Sequence, residues 1–134
     1  MITVIPMADP PAVLPRGDVV ITLQDYGFRF SRPLTPGHHR IAVTNQGKQP
    51  HELILSRLAP GKSTADFVRW IERQGGPPPV EPYGGVTDIA PGTTVLLEVD
   101  LDPGRYSLLC RVRDAADGQP HDRHGMTADI VVRN

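Results

Sequence analysis

Apolar and polar residues alternate with a period of two over several short stretches of the chain, which predicts β-strands with one face in a core. The clearest is Val95, Leu97, Val99 and Leu101. Tyr106, Leu108, Cys110 and Val112 alternate with Ser107, Leu109, Arg111 and Arg113, and Met126, Ala128, Ile130 and Val132 repeat the pattern at the C-terminal end. Earlier in the chain, Val19 to Leu23 is β-branched and apolar. Phe28 and Phe30 flank Arg29 after the turn-like Asp25-Tyr26-Gly27, Ile41 and Val43 share a face within Arg40 to Thr44, and His51, Leu53 and Leu55 open a strand running to Leu58. Pro36-Gly37, Pro60-Gly61 and Asp102-Pro103-Gly104 punctuate these runs, and the last is expected to make a hairpin between its flanking strands. A helical period appears once, in Phe67, Trp70 and Ile71. Ser63 with Asp66 three residues on predicts a capped start, and Gly75-Gly76 before Pro77-Pro78-Pro79 predicts the stop, so the helix is expected from about Ser63 to Gln74. Pro77 to Gly85 is expected to be an extended loop, and the proline-rich Met1 to Gly17 an extended lead-in with at most a short edge strand near Ile2 to Ile5. Seven or eight strands and one inserted helix predict an all-β fold, a two-sheet Greek-key β-sandwich.

Composition narrows this picture. The 134 residues suit one domain spanning 1–134, and 15 Pro with 13 Gly exclude long helices. Net charge is −1 with both signs interspersed and no run of Lys or Arg, so neither a nucleic-acid groove nor a membrane-surface patch is indicated. No apolar stretch is long enough for a membrane span, and MITVIPMADPP lacks the pattern of a signal peptide. The single Cys cannot form an internal disulfide, leaving a reactive thiol or a metal ligand.

That cysteine lies in YSLLCRVRDAADGQPHDRHGM, where the alternation points Cys110 into the core. DAADGQP ends the strand and makes a loop, His121 follows it, and Met126 opens the last strand on its inward face. The loop thus returns a Cys, a His and a Met to one end of two strands. Thiolate, imidazole and a weak axial thioether are three of the four ligands of a blue-copper centre, and the fourth is a second imidazole. His51, opening its strand on the apolar face after the Asn45 to Pro50 turn, supplies a candidate. His124 competes with His121, and His38 and His39 read as exposed loop residues. Zinc is a further possibility for a site with one Cys and two or three His.

The distant His51, the Cys110-loop-His121-x4-Met126 arrangement, the Asn45-x5-His51 approach and the phrase LDPGRYSLLC resemble the type 1 copper site of the cupredoxin family, from about Val19 to Val132. Ten residues separate Cys110 from His121, longer than in small plastocyanin-like proteins and similar to the type 1 domain of copper nitrite reductases. Glu52 stands where many small members carry a short polar residue after the first His. The resemblance implies copper held by His51, Cys110, His121 and Met126, and outer-sphere electron transfer with a transient redox partner protein. It also implies a docking surface around an exposed His121 edge, Pro120 and the Pro77 to Tyr83 loop. A periplasmic or extracellular location, with an export signal removed, follows from the same resemblance. The alternatives are a metal-free interaction or scaffold module, a copper-storage module, a copper enzyme of the nitrite-reductase kind, which needs a second domain, and a Cys–His hydrolase, which a mid-strand Cys110 disfavours.

Overall fold

A computed structural model describes residues 2–7, 19–73 and 75–134. The elements run β1 (Ile2–Met7), β2 (Val19–Gln24), β3 (Gly27–Phe30), β4 (Gly37–Asn45), β5 (His51–Leu58), α1 (Thr64–Arg73), β6 (Val80–Ile89), β7 (Thr94–Leu101), β8 (Gly104–Leu109) and β9 (Thr127–Val132). One sheet has the order β1-β7-β4-β2-β3 and the other β6-β5-β8-β9. The expected all-β sandwich with one inserted helix is therefore what forms. Of the lead-in, β1 pairs antiparallel with β7, and residues 8–17 lie outside the described residues.

The alternating positions find each other across the two sheets. Val19, Ile21 and Leu23 of β2, Ile41 and Val43 of β4, and Leu97 and Val99 of β7 meet Leu53, Leu55, Tyr106, Leu108 and Val132 of the opposite sheet in one buried cluster, which also holds Cys110 and Met126. Burying each large aliphatic side chain contributes roughly 1.5–3 kcal/mol, so this interface is the main stabilising element. Leu109 has the opposite parity to Leu108, yet it is fully buried as well. It packs with Leu58, Phe67 and Val80 where α1 covers the outer face of the second sheet.

The helix starts as its capping residues dictate. The Ser63 N–H donates to Asp66 Oδ2 at 2.9 Å, and the Asp66 N–H donates back to Ser63 Oγ at 3.2 Å. The Thr64 hydroxyl donates to Ser107 Oγ at 2.8 Å and fastens the first turn to β8. Among the described residues no helix is long and apolar enough to cross a membrane.

Three expectations need correction. Pro77 to Gly85 is not all loop, because β6 starts at Val80 and pairs with β5 over its length. It tolerates Pro82 because it is an edge strand, and its register slips between Leu55 and Ser56, beside the proline. The turn at Asp102 to Gly104 makes no hairpin. It carries the chain from β7 in one sheet to β8 in the other, and the Tyr106 hydroxyl donates to Asp102 O at 2.8 Å to brace that corner. His38 and His39 lie within β4, where His38 Nδ1 sits 2.8 Å from the Asp100 carboxylate on β7.

Candidate metal centre

The Asn45 turn delivers His51. Asn45 is fully buried, its side-chain amide donates to the carbonyls of Gln49 and Ile89 at 2.8 Å each, and its Oδ1 accepts the Gly47 N–H at 2.8 Å. One side chain thereby satisfies a turn that buried backbone could not otherwise make. The chain leaves it directly into β5 with His51 facing the core.

Cys110 follows the last residue of β8, and its N–H donates to Met126 O at 3.2 Å, which ties it to the start of β9. The ten residues before His121 fold out as a small antiparallel excursion. The Asp114 N–H donates to Gln119 O at 2.7 Å, Arg113 bridges Pro120, and the His121 N–H donates to Val112 O at 2.8 Å. The excess length is absorbed before the ligand position, so His121 returns beside Val112. A 3₁₀ turn, His121–His124, then ends at Gly125 with φ 95°, a left-handed conformation that glycine adopts freely, and Met126 follows.

His51, Cys110, His121 and Met126 are all fully buried. The first three converge: His51 Nδ1 lies 3.1 Å from His121 Nδ1, and Cys110 Sγ lies 3.8 Å from the former and 3.6 Å from the latter. A triangle of those sides has a point about 2 Å from each corner, close to metal–imidazole bonds of about 2.0–2.1 Å and metal–thiolate bonds of about 2.3 Å. The outer ring nitrogens are tied down. His51 Nε2 lies 2.5 Å from Asp25 Oδ1, and His121 Nε2 lies 3.1 Å from Gln49 Oε1 and 3.4 Å from Asp114 Oδ1. Carboxylate and amide oxygens only accept, so Nε2 carries a hydrogen in each ring, and a neutral ring keeps its lone pair on Nδ1. With both rings neutral, two lone pairs face each other at 3.1 Å beside a sulfur, an arrangement that a cation resolves.

Burial pushes the Cys110 thiol up to about 11, offset in part by backbone N–H groups of Glu52 and Val112 aimed at the sulfur. The Glu52 N–H reaches Sγ at 3.3 Å, and the Glu52 carboxylate accepts the Arg111 N–H at 2.9 Å. Main chain thus supplies the sulfur hydrogen bond, and the side chain after His51 braces the strand end instead. Burial, followed by the neighbouring His51, lowers the His121 pKa. Asp114 is held well below the usual carboxylate range by the Gln49 amide and then the Tyr26 hydroxyl, at 2.8 and 2.7 Å.

The exposed His121 edge expected from the resemblance is not there. Tyr26, Gln49 and Asp114 cover it, with the Tyr26 ring centroid 5.4 Å from that of His121. Pro77 to Tyr83 is also elsewhere, since Val80 pairs with Leu58 at the opposite end of β5 from His51. His124 stays out of the Cys110 cluster. It stacks on Tyr26 at 4.6 Å and sits 2.9 Å from Asp117. The covering residues were missed in the sequence because Asp25, Tyr26, Gln49 and Asp114 read locally as turn and loop. Their only signal is a carboxylate, amide or phenol in each of the three loops that a sandwich gathers at one end.

No protein-family model matches the chain, and no curated protein matches it. Among solved structures, auracyanin B is similar with a TM-score of 0.54 and 14% identity, covering 96% of this chain and 96% of that one. Dithionite-reduced auracyanin from the photosynthetic bacterium Roseiflexus castenholzii is similar with a TM-score of 0.50 and 16% identity, covering 86% of this chain and 94% of the other. Two sheets in this order, one inserted helix and likeness over nearly the whole length of both proteins make the fold of this chain cupredoxin-like.

Proposed function

We propose that the chain is a type 1 copper protein that carries single electrons, with His51, Cys110 and His121 as the strong ligands and Met126 as the weak axial thioether. The observation that carries this reading is the buried triangle of two Nδ1 atoms and one Sγ with sides of 3.1, 3.6 and 3.8 Å. Copper when bound supplies a one-electron couple, and a trigonal Cys-His-His set with a long Met suits both of its oxidation states.

The chain's own residues do the rest. Cys110, a thiol in the metal-free protein, would release its proton to solvent when metal binds, and the N–H groups of Glu52 and Val112 would stabilise the thiolate left behind. Asp25 and Gln49 with Asp114 hold the rings with Nδ1 inward. Complete burial of all three donors excludes water and leaves them little room to move between redox states. A thioether from Met126 would favour copper over zinc, for which it is an unusual ligand. The raised thiol pKa argues against a cysteine nucleophile, which needs a ready thiolate. We read the chain as a carrier rather than an enzyme, meeting a redox partner transiently in the periplasm or outside the cell.

Titrating the metal-free protein with Cu(II) while recording the visible spectrum tests this. One equivalent is expected to give intense thiolate-to-copper absorption, and Cys110→Ser is expected to abolish it. A wild-type protein that stays colourless overturns the reading.

A further inference from the structure

We propose that Asp25 and Asp114 are positioning residues for the two ligand imidazoles and that their charges bias the centre toward a divalent ion. The redox part of this rests on the copper reading above. The metal-affinity part rests on the donor geometry alone.

The Asp25 pair is built into the fold on both sides. Asp25 Oδ1 meets His51 Nε2 at 2.5 Å while Oδ2 accepts the Lys48 N–H at 3.1 Å, which joins the β2–β3 turn to the Asn45 turn. Gly47 lies so close that a Cβ there would stand 2.4 Å from Asp25 Oδ1 and 2.7 Å from His51 Nε2. Only a residue without a side chain lets the backbone wrap this pair.

The Asp114 side reaches the same end by a relay. Gln49 Oε1 accepts the Ala115 N–H at 2.7 Å and faces His121 Nε2 at 3.1 Å, so the Gln49 amide must turn its NH₂ to Asp114 Oδ1, 2.8 Å away. The Tyr26 hydroxyl donates to the same oxygen. Asp114 is 4% exposed and itself lies 3.4 Å from His121 Nε2. Each ring thus bears a carboxylate behind it, which fixes its tautomer, raises its basicity and adds a negative charge beyond that of the thiolate. A 2+ ion gains more from those two charges than a 1+ ion does in the same field. A one-electron change at a metal held by these donors would carry that bias into the potential.

The experiment uses Asp25→Asn and Asp114→Asn, which keep size and one acceptor oxygen. Zn(II) affinity is measured by competition with a chromophoric chelator, and the reduction potential of the copper-loaded protein by voltammetry. Each variant is expected to lose roughly 10–100-fold in Zn(II) affinity. Each potential is expected to rise, by about 59 mV for every tenfold by which Cu(II) binding weakens more than Cu(I) binding. A purely structural role for the carboxylates would leave the potential where it was. Zn(II) affinity within about twofold of wild type, or an unmoved potential, in both variants overturns the proposal. If wild type binds Zn(II) but never turns blue with Cu(II), the copper reading falls while the Zn(II) arm still decides the positioning role. The two aspartates sit on separate segments, so if one variant fails to fold the other decides the outcome.

Discussion

His51 and His121 offer the same atom to the same point, yet they reach it by different means. His51 is the first residue of a central strand, paired to Ile89 of β6 just before a register shift, and among the described residues Asp25 alone holds its outer nitrogen. His121 sits in a 3₁₀ turn after a loop, and its direction is set by Gln49, Asp114 and Tyr26. One corner of the triangle is thus anchored by a strand start and a single carboxylate and the other by a side-chain network in a loop, so the two should fail differently.

Removing each ring should have the largest effect. His51→Ala and His121→Ala should each lower Cu(II) affinity by at least about 100-fold, measured by chelator competition, since both supply a short bond. Metal-free stability should separate them. His51→Ala leaves Asp25 Oδ1 without its partner and opens a cavity at a strand start, costing about 2–4 kcal/mol in urea unfolding. His121→Ala should cost about half as much, because Asp114 keeps Gln49, Tyr26 and the Ala116 N–H. Equal losses would mean that the loop network is as tightly coupled to the fold as the strand.

A smaller effect is expected from Gly47→Ala, which drives a methyl group into the Asp25–His51 pair. Overpacking of this kind costs about 1–3 kcal/mol, and urea midpoints should show it with no matching change at the His121 end.

Tyr26→Phe probes the network through pH. Because the folded pKa of Asp114 is depressed, its contribution to stability is complete above the unfolded value near 3.9 and is lost as pH falls through the folded value. Without the Tyr26 hydroxyl the depression is smaller, so at neutral pH the variant should melt roughly 2–5 °C below wild type. That gap should close below about pH 4, as the pH falls from the variant's folded value toward the lower one of wild type. A gap that stays constant in acid would instead assign the role of Tyr26 to packing on His121 and His124. The smallest effect is expected for His124→Ala, whose ring stacks on Tyr26 from outside: Cu(II) affinity should stay within about twofold of wild type.

The same contrast governs what could be read in the sequence. Parity put His51 and Cys110 on inward faces, where both are buried, because strand alternation is a local property, and the Ser63–Asp66 cap was legible for the same reason. The Asp102 to Gly104 turn was misread because turn residues specify a reversal but not which sheet receives the next strand. β6 was missed because Pro82, Gly84 and Gly85 are poor strand formers that only an edge position and pairing with β5 make acceptable. The cover over His121 was out of reach because Tyr26, Gln49 and Asp114 meet across separations of 23, 65 and 88 residues, where no periodicity connects them.

The irregular make-up of β6 has a consequence for behaviour at high concentration. A sheet edge invites another chain to add to it, and β6 answers with Pro82, which has no N–H to offer, and with Asp88 at φ 53°, which bends the strand away from extended pairing. The other edge of that sheet, β9, lacks such interruptions and exposes over half of Val131. If this chain forms ordered aggregates through that sheet, they are expected to grow from β9, and a lysine in place of Val131 should slow them.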